Sequence, residues 1–219
     1  GLHELTGRTA RDRRALESED IGFAIAPRIN AAGRLGQARL AVELLTTDNA
    51  ARAEALADYL DQLNNSRRTV ERRMFKQARE LMAAHPEWES QPALVLAHHD
   101  WHPGVIGIVA NRVSEHYQKP AVLIALRSET ELGQGSGRTF GSFDLHAALT
   151  QCADRLATFG GHQAAAGLKI ESTQIDPFRE AFCQAAARLQ AAASPGDETA
   201  LEIDAEVRLA DVTRRAVYE

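Results

Sequence analysis

Three short runs combine residue types that could hold a phosphate. The first is Gly160-Gly161-His162-Gln163-Ala164-Ala165-Ala166-Gly167. Two glycines let the backbone take positive φ values and bring N–H groups close to a ligand. An imidazole directly after them can donate to a phosphate oxygen, more strongly when protonated. The same glycines also suit a plain helix stop with an incidental histidine. A helix ending there would point its negative end at the site, so an anion would need a cation nearby. The second run supplies one: Ser136-Gly137-Arg138 lies in the glycine-rich stretch 134–140, and an arginine fork matches phosphate geometry. A surface ion pair is the commoner fate of a single arginine. In the third run, Trp101-His102-Pro103-Gly104-Val105-Ile106-Gly107, a histidine precedes the start of a helix, whose free N–H groups can receive an anion or simply be capped.

Metal chemistry is harder to find. His98-His99-Asp100 has ligand types, but neighbours at a strand end point in opposite directions and rarely chelate one ion. Hydrolysis of a phosphodiester by two metals needs several convergent carboxylates, and no such cluster stands out. Walker, nucleophile-elbow and Cys-x-x-Cys patterns are absent from the sequence.

These runs need elements to position them. Leu56, Leu60, Leu63, Val70, Met74, Ala78 and Leu81 recur at helical spacings and predict one long helix over about 48–84, capped by Asp48 or Asn49, with Pro86 just beyond it. Such a helix suits a core, a coiled coil or a strut between domains, and its second half is basic. Upstream, 21–34 reads as a short strand or extended segment entering a glycine turn. Downstream, buried strands are expected at 93–97 and 121–126, with a helix between them starting near Pro103. A turn near 131–133 leads to a glycine-bearing strand over 134–140. Asp144 caps a helix expected to run to about Phe159, where Gly160-Gly161 stops it. A strand over 164–170 and an amphipathic helix over 176–192 follow. Strands alternating with helices indicate an α/β domain. Ser194-Pro195-Gly196-Asp197 reads as a linker, and the alternation Leu201, Ile203, Ala205, Val207, Leu209 as the first strand of a separate β domain. The polar opening reads as if cut from something longer.

Composition sets bounds. The 219 residues are 44% hydrophobic with a net charge of −5, enough for a sizeable core and unlike a protein that coats nucleic acid with its whole surface. Charge is uneven. Arg67, Arg68, Arg72, Arg73, Lys76 and Arg79 face only Glu71 and Glu80, whereas Asp197, Glu198, Glu202, Asp204, Glu206 and Asp211 make the end acidic. No apolar run is long enough to span a bilayer. Cys152 and Cys183 are too few for a disulfide framework, so a reducing, cytoplasmic setting is the simplest reading.

Together the runs resemble the RecJ family within the DHH/DHHA1 phosphoesterases. Gly160-Gly161-His162 with Ala164-Ala165-Ala166-Gly167 looks like the DHHA1 signature, and 101–107 with Ala110-Asn111-Arg112 like the opening of that domain. Gly135-Ser136-Gly137-Arg138 matches its middle motif, and Pro27-Arg28-Ile29-Asn30-Ala31-Ala32-Gly33-Arg34-Leu35 resembles the segment that closes the DHH domain. The resemblance covers about 21–190. It implies an α/β fold with a DHHA1-type mixed sheet and flanking helices, preceded by a long connecting helix and followed by the start of an OB-like β domain. The implied division is 1–47 as a DHH remnant, 48–86 as the connecting helix, 92–193 as DHHA1, and 197–219 as the start of the OB-like domain.

It further implies a parent exonuclease that degrades single-stranded DNA from the 5′ end with Mn²⁺ or Mg²⁺, in repair and recombination. The metal is held in a DHH domain, whose Asp-His-His motif nothing here matches, so no ligand is carried over and no ion is expected on these residues. Arg138 and His162 would hold backbone phosphates, with Gly160, Gly161, Ser136 and Gly137 permitting close approach. Arg28, Asn30 and Arg34 would line the catalytic side of the cleft, with His102 a further candidate. Relatives acting on short oligonucleotides, pAp or cyclic dinucleotides, and a non-catalytic single-strand-binding scaffold, are the alternatives. The long helix and apparent β domain favour RecJ.

Overall fold

The computed structural model describes residues 4–5, 18–126 and 132–192. The expected linker and β-domain strand beyond Pro195, and the start of the turn before Gly133, fall outside them. A π-helical stretch, Asp20–Ile25, runs into α1 (Ala26–Arg34). Helices α2 (Ala38–Thr46) and α3 (Ala50–Ala84) follow. The domain proper comprises β1 (Leu94–His98), α4 (Ile106–Tyr117), β2 (Ala121–Ala125), β3 (Gly133–Arg138), α5 (Leu145–Thr150), β4 (Thr158–Gly161), β5 (Ala165–Ile170) and α6 (Ile175–Ala192).

The long helix is present. Over 35 residues it spans roughly 50 Å at 1.5 Å per residue. Asn49 caps it by accepting from the Arg52 N–H at 3.0 Å. One apolar seam serves two cores. Ala53, Leu56, Ala57 and Leu60 pack with Ile25, Ala32 and Leu44, while Met74, Ala78 and Met82 pack with the sheet and α4. The helix thus packs against α1 and α2 at one end and against the sheet and α4 at the other.

Five strands form one mixed sheet in the order β1-β2-β3-β5-β4. Only β1 and β2 are parallel, and α4 makes the crossover between them. One face is covered across its width by α5 and α6, with Val122, Ile124, Leu168, Ile170, Phe178 and Phe182 at its centre. Gly135 and Gly137 are packing glycines on this side: a Cβ would press into Leu168 or Leu145. On the other face, Leu94, Leu96, Ala121, Leu123 and Ala125 are covered by α3 and α4.

Three expectations are corrected. Residues 21–34 are helical rather than extended. Pro27 sits in the first turn of α1, where its fixed φ suits a helix, and Ala31 and Ala32 are buried. The turn glycine is Gly36, at φ +77, not Gly33. The helix after Asp144 stops at Thr150. Asp144 does cap it, accepting from the Ala147 N–H at 2.8 Å, but Gly160 and Gly161 lie in edge strand β4. No helix ends against His162, so the electrostatic objection to an anion there falls away. The helix expected near Pro103 starts at Ile106, after a turn. Helix α2 was not foreseen.

Both cysteines are buried. Burial pushes the Cys152 thiol up from 9 to about 11, and raises that of Cys183, whose Sγ–H donates to the Ala93 carbonyl at 3.3 Å. Native protein at pH 8 is expected to leave both thiols unmodified by Ellman's reagent, with full reaction after urea unfolding. The raised thiol also fixes a sign: its contribution to stability is present below about pH 9 and is lost as pH climbs towards 11.

Candidate phosphate-binding face

Direct register partners share a face of a sheet. Gln134, Ser136 and Arg138 of β3 pair with Lys169, Gly167 and Ala165 of β5. Thr158 and Gly160 of β4 extend two of those rows. All these side chains lie on the α4 side. Helix α4 reaches only as far as β3, so beyond it this face is open, and Gln134, Thr158, Gly160, Gly167 and Lys169 are exposed. A shallow trough of about 250 Å³ lies against β3, β5 and β4 here, bordered by Gln134, Thr158, Gly160, Gly167 and Lys169.

The glycines divide by what a side chain would meet. At Gly160 a Cβ would meet nothing within 4 Å, and at Gly167 only the Gly135 carbonyl at 3.9 Å. Neither is needed for the chain's own packing; both keep the open face flat. Gly161 differs, with φ +148 and a Cβ that would overlap backbone atoms of Ala165 and Ala166. Gly161→Ala is expected to lose about 1–3 kcal/mol of stability through backbone strain, and Gly160→Ala almost none. Paired urea denaturation curves check this.

Arg138 stands at the inner margin of this face. Its Nη1 donates to the Ser136 hydroxyl at 3.1 Å and to the Gly137 carbonyl at 2.6 Å. Room for the guanidinium is made by Gly107 in the first turn of α4, where a Cβ would come within 3.0 Å of Nη2 and 3.1 Å of the Ser136 Oγ. No carboxylate among the described residues bridges to Arg138. Burial first, and the nearby Arg34 charge second, hold its guanidinium below the usual arginine range. A partly desolvated cation beside another cation calls for an anion.

Arg34 reaches this place because the C-terminal end of α1 lies against the turn before α4. Its Nη1 is 3.4 Å from the Gly104 carbonyl, and its own carbonyl abuts Gly104 so closely that a Cβ there would overlap it. His102 Nδ1 accepts the Gly104 N–H at 3.1 Å. In the neutral ring the proton therefore sits on Nε2, free to donate outward.

His162 is exposed just past β4. Its N–H donates to Ala165, the register partner of Arg138, at 2.8 Å. Imidazole and guanidinium thus belong to the same end of the sheet. Arg28 does not join them: its Nε donates to Asp61 at 2.7 Å and its Nη1 to Ala24 at 2.6 Å. Asn30 is exposed on α1. Lys169 and Gln134 were not singled out from sequence, although the period of two through Ala165, Gly167 and Lys169 marks them as one face.

Among the described residues no three His, Cys, Asp or Glu side chains gather so as to hold a metal ion. His98 Nδ1 instead accepts the Asp100 N–H at 3.0 Å, and the ring stacks near Trp101. No helix among them is long and apolar enough to cross a membrane.

Residues 90–188 match the DHHA1 domain. The chain is 36% identical over 179 residues to the single-stranded-DNA-specific exonuclease RecJ of Bacillus subtilis, covering 82% of this chain and 22% of that protein. It is 40% identical over 160 residues to RecJ of Thermus thermophilus, covering 73% and 22%. The crystal structure of RecJ from Thermus thermophilus in complex with Mn²⁺ superposes with a TM-score of 0.74 at 37% identity, over 85% of this chain and 27% of that one. A crystal structure of exonuclease RecJ bound to manganese gives 0.72 at 37% identity, over 85% and 45%. The chain spans between about a fifth and a third of the length of the curated relatives it matches.

Proposed function

We propose that this RecJ-like chain, whose residues 90–188 belong to the DHHA1 family, grips the backbone of single-stranded DNA on its open sheet face. The strand is presented to a metal centre that these residues do not supply. The observation that carries this reading is Arg138, a partly buried guanidinium beside Arg34 with no carboxylate counter-ion among the described residues. Its fork would take two oxygens of one phosphate. The Nε2–H of His102 and the imidazole of His162 would donate to the same or a neighbouring phosphate, and Arg34 would add charge from the α1 side. Gly160 and Gly167 would let the strand lie against β4 and β5. Rows on the sheet are two residues apart, about 6.7 Å, so the Lys169–Gln134 row would meet the strand further along.

In the whole protein, Mn²⁺ or Mg²⁺ would supply the hydrolytic chemistry; what this chain does is bind, orient and hold register. The work of such a protein would be 5′-to-3′ digestion in DNA repair and recombination, with 48–86 as the connecting helix and 92–193 as the gripping domain. The test compares a labelled single strand with its uncharged methylphosphonate counterpart, with and without Mn²⁺. Binding of the phosphodiester strand alone, weakening with salt, and no release of nucleotides is expected. Equal binding of the neutral strand, or Mn²⁺-dependent release by the purified chain, would overturn the reading.

A further inference from the structure

The second half of α3 carries a concentration of cations away from the sheet. Arg72, Lys76 and Arg79 are exposed there, and with Phe75 and Glu80 of the same helix and Arg112 of α4 they line a groove of about 460 Å³. The Arg112 guanidinium lies over the Phe75 ring at 4.1 Å, which holds it at the groove edge. Few carboxylates oppose these charges. Glu80 meets Lys76 at 3.6 Å, and Glu71 is shared between Arg67 at 2.6 Å and Arg112 at 3.6 Å. Arg72 donates from Nε only to the Arg68 carbonyl, at 3.3 Å, and no described carboxylate bridges to Arg72 or Arg79. Like charges at helical spacing destabilise a helix, so the fold does not require this arrangement.

Arg34 bears electrostatically on both the sheet-face site and the second half of α3. Arg67, one turn before Glu71, is held below the usual arginine range first by burial, with Arg68 and Arg34 adding to it and Glu71 opposing. Arg34 bears in the same way on Arg138. Arg34 thus lies within electrostatic reach of both Arg138 and Arg67, and Glu71 joins Arg67 to Arg112 at the groove. From Arg72 to Ala83, the groove's lining on α3, the helix rises roughly 16 Å, too long for one nucleotide and suited to a polyanion. Arginine and lysine heads address phosphates rather than base edges.

We infer that the groove between α3 and α4 is a second phosphate-binding surface, independent of base sequence, which holds the nucleic-acid strand beyond the part seated on the sheet. The inference takes its ligand class from the proposed function but uses different residues. An acidic peptide, such as residues 197–211 of this chain, is the rival occupant.

The experiment titrates the chain, by fluorescence anisotropy at low salt, against labelled single strands of about 4 and about 16 nucleotides. Arg72→Glu/Arg79→Glu is expected to weaken the long strand at least about tenfold and to shrink its salt slope by roughly two, leaving the short strand unchanged. Arg72→Gln/Arg79→Gln should fall between. Arg138→Ala should weaken both strands. Unchanged long-strand binding by the groove variants would overturn the inference while leaving the sheet-face reading intact. So would wild type that gains nothing with length, or groove variants that lose only a labelled 197–211 peptide. Groove-dependent binding indifferent to Arg138→Ala would sink the sheet-face reading instead.

Discussion

Arg138→Ala is expected to weaken binding of a single strand by about tenfold to a hundredfold, the range of a charged hydrogen-bonding group worth roughly 1.5–3 kcal/mol. Its salt slope should fall by about one. The thermal midpoint should fall little, because relief of repulsion from Arg34 offsets the lost Nη1 bonds to Ser136 and Gly137 and no ion pair among the described residues is broken. Arg138→Lys restores the charge but not the fork, and should recover only part of the affinity. Lost binding with nearly unchanged stability separates a phosphate grip from a structural arginine; lost stability without lost binding would assign Arg138 to the fold.

Gly104→Ala should produce the larger change in the molecule as a whole. A Cβ at this position would overlap the Arg34 carbonyl, and because the clash is with backbone, no rotamer relieves it. The end of α1 must move away from the turn before α4, at a cost of about 1–3 kcal/mol. The move would carry Arg34 away from Arg138 and break its contact with the Gly104 carbonyl. Single-strand affinity should therefore fall several-fold together with the urea midpoint. Gly160→Ala adds the same methyl group in open space and should leave the midpoint in place, so the contrast isolates position from size.

Much of this was legible in the sequence, for identifiable reasons. The long helix declared itself because its apolar residues keep one seam through both cores, and β2 and α6 because each buries a continuous or periodic apolar set. Residues 21–25 misled because Ile, Phe and Ile alternate like a strand, yet Ile21 and Phe23 are exposed on a π-helical turn. Gly160 and Gly161 carry no side chain and hence no periodicity. What makes them strand is register with Gly167 and Ala166, which no local pattern displays.

Within the site, glycine spacing and the choice of arginine pointed to Arg138, and its lack of a carboxylate partner came only with the fold. Arg28 belongs to the same recognisable run as Arg34, but Asp61, distant in sequence and close in space, engages it. Lys169 went unnoticed because an isolated lysine is unremarkable until Gln134 and Thr158 line up beside it.

The open face of β3, β5 and β4 is where nucleic acid is proposed to lie. The most direct measurement is amide chemical-shift mapping by ¹⁵N NMR, titrating a 5′-phosphorylated single strand into labelled protein. The largest perturbations are expected on Ser136, Arg138, Gly160, Gly161, His162 and Gly167, with the amides of α6 on the opposite face staying still. Perturbations gathered on α6, or none around Arg138 and Gly160 at saturation, would contradict that placement.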